Sequence, residues 1–289
     1  MKICAIDIGS NSVRMAIISD GKTLYKAIST TRLGEGIATS ALLKDAAMER
    51  TSDAVAAFAE RARNEGADEI YAFATAAVRS AANGAEFCAQ VKNKCGLDVD
   101  VIKGLVEANA GLVGALGGRD GGIIDVGGAS TEVNVCVNKV SLYARSVNIG
   151  TVRLYDLAGR DRDRLDNVIA QKIADYGKFD ASPYHICTIG GTATNIASVK
   201  HGLKVYDPAV VDGTVIGRDE VLEMGYRMLE LSVDEVRAVP GMDPNKADVF
   251  AGGCLLLGRV MENFGIKEAA VSESDNIEGY VMLKRGSLS

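Results

Sequence analysis

The chain has 289 residues, 47% hydrophobic and 24% charged, a balance that excludes a disordered or fibrous chain. Lys and Arg number 32 against 38 Asp and Glu, so the net charge of −6 excludes a whole-surface basic footprint for nucleic acid, and a chain without Trp and with 5% aromatics has no base-stacking platform. Six cysteines without a C-x-x-C pair, and only His185 and His201 beside them, are poor material for a zinc site and read as reduced, mostly buried thiols of a cytoplasmic protein.

The start, MKICAIDIGS, lacks the long apolar core and small-residue cleavage site of a signal peptide. No apolar run reaches membrane-spanning length, so no membrane partner is expected. Lys2–Ile8, Val13–Ser19 and Thr23–Ser29 read as strands, joined by the turns GSNS and SDGK into two successive hairpins. Leu43, Ala47, Ala54, Phe58 and Ala62 recur at helical spacing and predict a helix from about Ala41 to Asn64, stopped by Gly66. A strand at Glu69–Thr75, a helix over about Ala82–Cys95, a strand at Val99–Ile102 and a helix over Glu107–Leu116 follow. The second half opens in the same way: GGIIDVGGASTEVNVCVNKVSLYARSVN gives strand, glycine turn, strand, an Asn138–Lys139 turn and strand. HICTIGG reads as a buried strand ending in glycines. Lys246–Phe264 reads as an amphipathic helix with Phe250, Leu255, Leu257 and Val260 in the core. EAAVSES is a short strand, and Ile277–Arg285 a last helix. Strand–helix alternation with hairpins at the head of each half predicts α/β domains.

An internal repeat organises the chain. AIDIGSNSVRMAII lies over IIDVGGASTEVNV with Asp7 on Asp125, Gly9 on Gly127, Ser12 on Ser130 and Arg14 on Glu132, at a constant offset of 118 residues. Two related domains are therefore expected, 1–119 and 120–289, closely joined because no Pro/Ser linker separates them. Each copy ends a buried strand in Asp and turns through glycine and small hydroxylic residues. Successive backbone N–H groups in such turns make anion-binding concavities. Ser10, Asn11 and Ser12 add donors in the first loop, Ser130 and Thr131 in the second. A carboxylate beside a bound phosphate is repulsive unless a divalent cation lies between them, so Asp7 and Asp125 imply Mg²⁺. A third glycine loop, Gly190-Gly191-Thr192, ends a strand with a helix starting just after, another anion-competent geometry. Three such loops suggest a ligand carrying several phosphates. On the residues alone, Glu107 would be a solvated helix residue and Arg79 a surface ion-pair partner.

AIDIGSNSVRM, RLGEG, ATAAVRSAANG, KGLVEA, IIDVGGASTEV, IGGTATNIA and PNKADVFAGG occur in an order that resembles the exopolyphosphatase/guanosine pentaphosphate phosphatase family, over nearly the whole chain. The resemblance implies two ribonuclease-H-like domains of the actin, sugar-kinase and heat-shock chaperone type, with an active site in the cleft between them. It implies release of the terminal phosphate from linear polyphosphate, or of the 5′ γ-phosphate from pppGpp. By resemblance, Asp7 and Gly9–Ser12 match the first phosphate loop, and Asp125, Gly127, Gly128, Ser130 and Glu132 the second. Glu107 matches the residue that activates the attacking water, and Arg79 an arginine expected to reach phosphate. Asp7 and Asp125, with Glu132, would hold one or two Mg²⁺ ions. Glu35 matches a motif glutamate whose role stays open. A homodimer is suggested by the resemblance alone.

Several positions depart from the family pattern. Val106 stands where the pattern has the first of two glutamates, Ala129 for a glycine, and Ala82 for an arginine. In the tail SESDNIEG, Asp275 stands for Gly and Ile277 for Arg, which points to altered substrate preference or weaker activity. The chain stops at Ser289, and the C-terminal extension that long family members carry is not expected here. Three readings stay open at this point: a Mg²⁺-dependent phosphoanhydride hydrolase, an ATPase or phosphotransferase of the same superfamily, and a non-catalytic sensor of a polyphosphorylated ligand.

Overall fold

The computed structural model describes residues 1–286. The first half contains β1 (Lys2–Ile8), β2 (Ser12–Ser19) and β3 (Lys22–Thr30), then α1 (Ile37–Ser40), α2 (Asp45–Asn64), β4 (Glu69–Ala74), α3 (Ala76–Ser80), α4 (Gly84–Cys95), β5 (Val99–Val101) and α5 (Gly104–Leu116). The second half repeats the hairpins as β6 (Gly121–Val126), β7 (Thr131–Val137) and β8 (Val140–Val147), followed by α6 (Thr151–Ala158), α7 (Arg162–Ile173), β9 (Ile186–Ile189) and α8 (Gly190–His201). It continues through α9 (Pro208–Val211), β10 (Val215–Gly217), α10 (Arg218–Leu229), α11 (Val233–Arg237), α12 (Phe250–Asn263), β11 (Glu268–Val271) and α13 (Asn276–Lys284).

Two sheets result, ordered β3-β2-β1-β4-β5 and β8-β7-β6-β9-β11-β10. In each, an antiparallel hairpin pair leads into a central strand that continues in parallel with the next: β1 with β4, and β6 with β9. This is the mixed α/β arrangement of the ribonuclease-H-like class, present twice. The hairpin turns follow their sequence chemistry. Asp20-Gly21 and Asn138-Lys139 carry φ of 51°, 76°, 52° and 63°, the doubly left-handed turn that matches strand twist. Gly66 takes φ 72° after α2, and the Ala67 N–H reaches back to the Ala62 carbonyl at 3.0 Å, closing the helix.

The halves exchange their last helices. Leu112, Ala115 and Leu116 of α5 pack on Ile123, Cys187 and Ile189 of the second sheet. Ile277, Tyr280 and Val281 of α13 pack on Ile3, Ala5 and Phe73 of the first. The Tyr280 ring stacks on Phe73 with centroids 4.2 Å apart. The α5–α13 crossing is built on glycine: a Cβ at Gly279 would lie 1.7 Å from the Ala110 carbonyl oxygen, and one at Gly114 1.9 Å from that of Asp275. Phe250, Leu255, Leu257 and Val260 are buried, as their spacing predicts. All six cysteines are free thiols, Cys4, Cys187 and Cys254 fully buried and the other three half-buried. Among the described residues no helix is long and apolar enough to cross a membrane.

Helix starts shift from their sequence expectations for local reasons. The expected helix from Ala41 begins at Asp45, because Gly36 and Ala41 sit at φ 78° and 54° and isolate α1. The expected helix from Ala82 begins at Gly84, preceded by the unexpected α3. The stretch from Lys246 starts as a single 3₁₀ turn over Pro244–Lys246 before α12. The third glycine loop is itself the first turn of α8, which begins at Gly190.

Candidate active site

The two Asp-bearing turns are built alike. Asp7 pairs with Arg14 across β1–β2, and Asp125 with Glu132 across β6–β7. Gly9 N–H donates to the Ser12 carbonyl at 3.0 Å, and Gly127 N–H to the Ser130 carbonyl at 3.0 Å. The turns meet face to face: a Cβ at Gly128 would lie 2.8 Å from Ser10 Cβ and 3.1 Å from the Asn11 nitrogen. Gly190 closes the third side. Its φ of 79° and the 2.6 Å that would separate a Cβ there from Asp125 Oδ1 both require glycine.

These loops line one cleft between the halves. Asp7, Gly9, Ser10, Asn11, Ser12 and Arg14 come from the first half, with Glu107 at the start of α5. Asp125, Gly127, Gly128 and Ser130 line it from the second half, with Gly190, Gly191 and Thr192 at the head of α8. Three expected site residues, Thr131, Glu132 and Arg79, lie elsewhere, as does Glu35, whose role the resemblance leaves open. The Thr131 hydroxyl is buried and given to the Ile149 carbonyl at 2.6 Å. Glu132 is buried behind the cleft, accepting from the Ser146 hydroxyl at 2.6 Å. Arg79 does not line the cleft but grips Glu107 Oε2 at 3.0 Å and the Ile102 carbonyl at 2.8 Å. Glu35 pairs with Lys44 at 3.7 Å and Arg50 at 3.4 Å. The Thr192 hydroxyl is spent on the Val126 carbonyl at 2.8 Å, which ties the third loop to the second.

Burial governs the electrostatics. Desolvation raises Glu107 to about 8, a rise that Arg79 limits and Asp125 reinforces. Asp125 is raised to about 7 by desolvation, against the pull of Arg14 and an Asn276 amide hydrogen bond at 2.9 Å. Asp7 is raised by desolvation, with Arg14 opposing. Glu132 is pushed far up by desolvation, with Glu107 and Asp125 adding to it. Several buried carboxyls with raised proton affinity gathered at one cleft make it the candidate functional site.

The chemistry of the donor set can be tested against a magnesium ion. Asp7 Oδ1 and Asn11 Oδ1 are buried acceptors with no hydrogen-bond donor, a condition that needs a partner. Among the described residues no three Asp, Glu, His or Cys side chains form a complete metal set. Mg²⁺ characteristically takes one or two carboxylates and completes its shell with water and phosphate oxygens, so hard oxygens at Asp7 and Asp125 fit it.

Lys246 and Asn276 escape sequence reasoning, whereas Asp275 stands out in the sequence as a departure from the family pattern without its partner being evident. Lys246 is half-buried in the lining and its ammonium donates to the Gly191 carbonyl at 3.1 Å. Asn276 and Asp275 come from the altered tail. Each joins its site partner from a distant part of the chain, so no local spacing announces it. Lys246 lies in the PNKADVFAGG segment of the resemblance, and Asp275 and Asn276 lie in the altered tail SESDNIEG.

A profile of the Ppx/GppA phosphatase family matches residues 15–285. The chain belongs to the Ppx/GppA phosphatase family. It is similar to exopolyphosphatase 2 of Mycobacterium tuberculosis, with 26% identity over 99% of both chains. It is also similar to a guanosine-5'-triphosphate,3'-diphosphate pyrophosphatase of Photobacterium profundum, with 29% identity over 96% of this chain and 58% of that one. A bifunctional 3-dehydroquinate synthase/phosphatase of Fusobacterium nucleatum is 26% identical over 96% of this chain, which spans 46% of that longer protein. Among solved structures, an Aquifex aeolicus Ppx/GppA family member matches with a TM-score of 0.78 and 25% identity, covering 99% of this chain and 98% of that one. An exopolyphosphatase of Cytophaga hutchinsonii, at 22% identity, shares the fold with a TM-score of 0.86 over 99% and 98% of the two chains.

Proposed function

We propose that this Ppx/GppA family protein is a Mg²⁺-dependent phosphoanhydride hydrolase that releases the terminal phosphate of linear polyphosphate or the 5′ γ-phosphate of pppGpp. The observation that carries the reading is a buried carboxyl with raised proton affinity, Glu107, in one cleft with two face-to-face Asp-bearing glycine turns. The named activities of the Mycobacterium and Photobacterium relatives support the same class of reaction.

Phosphoryl transfer is mostly positioning and charge stabilisation. Backbone N–H groups of the three glycine loops hold the terminal phosphates. Asp7 and Asp125 would hold Mg²⁺, which supplies charge neutralisation. Glu107, in its ionised form, accepts a proton from a water whose oxygen bonds to the terminal phosphorus while the bond from phosphorus to the bridging oxygen breaks. The electron pair of that bond leaves with the shortened substrate, and no side chain is phosphorylated. Arg79 fixes the Glu107 carboxylate and moderates its proton affinity. Glu132, buried and held by the Ser146 hydroxyl, feels the Glu107 charge, which adds to its own raised proton affinity.

The test is phosphate release from tripolyphosphate, long polyphosphate, pppGpp and ATP, with and without Mg²⁺. Mg²⁺-dependent release from polyphosphate or pppGpp, exceeding release from ATP, is expected. Release from ATP alone favours the ATPase reading. Binding without release from any of them favours a sensor.

A further inference from the structure

Past Arg14, Ile28, Gly190, Gly191 and Lys246, the cleft opens into a broader groove between β3 and the segment Gly241–Lys246. A substrate with its terminal phosphate among Asp7, Asp125 and Glu107 would have this groove open to its remainder. A track for a polyanion needs cations whose charge is not already matched. Here four cations line the groove together with four carboxylates. Lys26 meets Glu278 at 2.8 Å, Lys246 meets Asp243 at 3.6 Å, and Arg14 meets Asp275. Lys204 and Glu273 also line the groove, where Glu273 accepts from the Tyr206 hydroxyl and Lys204 makes no ion pair among the described residues, so three of the four cations are matched by a carboxylate contact.

Asp275 controls the junction. Its Oδ1 caps α13, accepting the Ile277 N–H at 3.0 Å, while Glu278 Oε2 accepts the Asp275 N–H at 3.1 Å. Its Oδ2 accepts from Arg14 Nη1. The other edge of the same guanidinium, Nε and Nη2, donates to Asp7 Oδ2. Arg14 therefore stands where cleft and groove meet with both edges occupied by carboxylates. Burial works against the Asp275 charge, but Arg14 and Lys26 outweigh it and keep this carboxyl below its ordinary value.

We propose that Asp275 is a specificity residue: by occupying the groove-side end of Arg14, it makes the exit from the phosphate cleft unfavourable to a continuing polyphosphate chain and restricts the enzyme to substrates with a short run of phosphates. This rests on the hydrolase reading and adds a selection by phosphate-chain length to it.

The experiment compares kcat/KM for tripolyphosphate and for long-chain polyphosphate in the intact protein and in Asp275→Asn and Asp275→Ser. Both substituents cap helices, so α13 keeps its start. Asn removes the charge, and Ser is too short to reach Arg14. The wild type is expected to prefer tripolyphosphate. Each variant is expected to raise the long-to-short kcat/KM ratio about fivefold or more, the scale of one unit charge removed beside a polyanion. The gain should come through a lower KM for the long chain. A ratio unmoved in both variants overturns the proposal, as does a wild type that prefers the long chain. A wild type that releases phosphate from neither these substrates nor pppGpp fails the hydrolase reading itself, and the inference falls with it.

Discussion

Glu107 is a carboxyl taken out of water with one counter-charge, Arg79, at 3.0 Å. Its value of about 8 leaves much of it protonated at neutral pH in the free protein. A general base must be ionised, so kcat/KM should climb as pH rises towards and through that value. Arg79 pulls the value down; its removal lets it rise. Arg79→Met should therefore displace the rising limb of the pH–rate profile by about one unit towards alkaline pH. A limb that stays in place, or moves towards acid, contradicts the role given to Arg79. At this scale the sequence displayed the glycine turns and both aspartates, because a turn's chemistry is local. It did not separate Arg79, which pairs with Glu107, and Glu132, which is held by Ser146, from residues that face the cleft. That distinction depends on side-chain direction, which motif spacing does not encode. Lys246 and Asn276 were illegible for a different reason: each reaches the site only because α13 or the turn before α12 folds back onto it, and Asp275 was legible as a departure but not as the partner of Arg14.

Two elements, α5 and α13, carry the site across the halves. α5 positions Glu107, and α13 presents Asp275 and Asn276. They approach so closely that neither Gly114 nor Gly279 leaves space for a methyl group, and the obstructing atoms are backbone carbonyls. Gly279→Ala should cost about 1–3 kcal/mol, the range for overpacking a tight contact, read as a lower denaturant midpoint. It should also lower turnover by displacing Glu107. Wild-type stability in this variant would show that the crossing tolerates separation. The hairpins and central strands were legible because alternation, Asp-Gly and Asn-Lys turns and buried apolar runs all agree there. Helix starts were not, because left-handed residues such as Ala41 interrupt a pattern whose apolar spacing continues through them.

At the scale of the molecule, the halves are latched at the rim of the cleft. Arg32 grips Asp248 through both carboxylate oxygens, at 2.6 and 2.8 Å, and the Asn245 carbonyl at 3.0 Å. Arg32 is partly exposed, so the pair should add no more than about 1 kcal/mol to stability. Its effect belongs to cleft geometry. Arg32→Ala should leave the thermal midpoint nearly in place, raise KM and increase the radius of gyration in solution scattering. An unaltered KM would mean the latch does not set the geometry of the cleft. The exchange of α5 and α13 was the least legible feature of the fold, since the repeat suggests two closely joined domains but nothing in either helix marks which sheet it covers.

The central claim is that a buried glutamate opposite twin Asp-bearing turns activates water against a phosphoanhydride. Glu107→Gln keeps the shape of the side chain and removes the base. With Mg²⁺ and tripolyphosphate or pppGpp, phosphate release by this variant should fall at least about a hundredfold, the contribution of general-base assistance, while it stays folded and still binds substrate. Release at the wild-type rate would contradict the account.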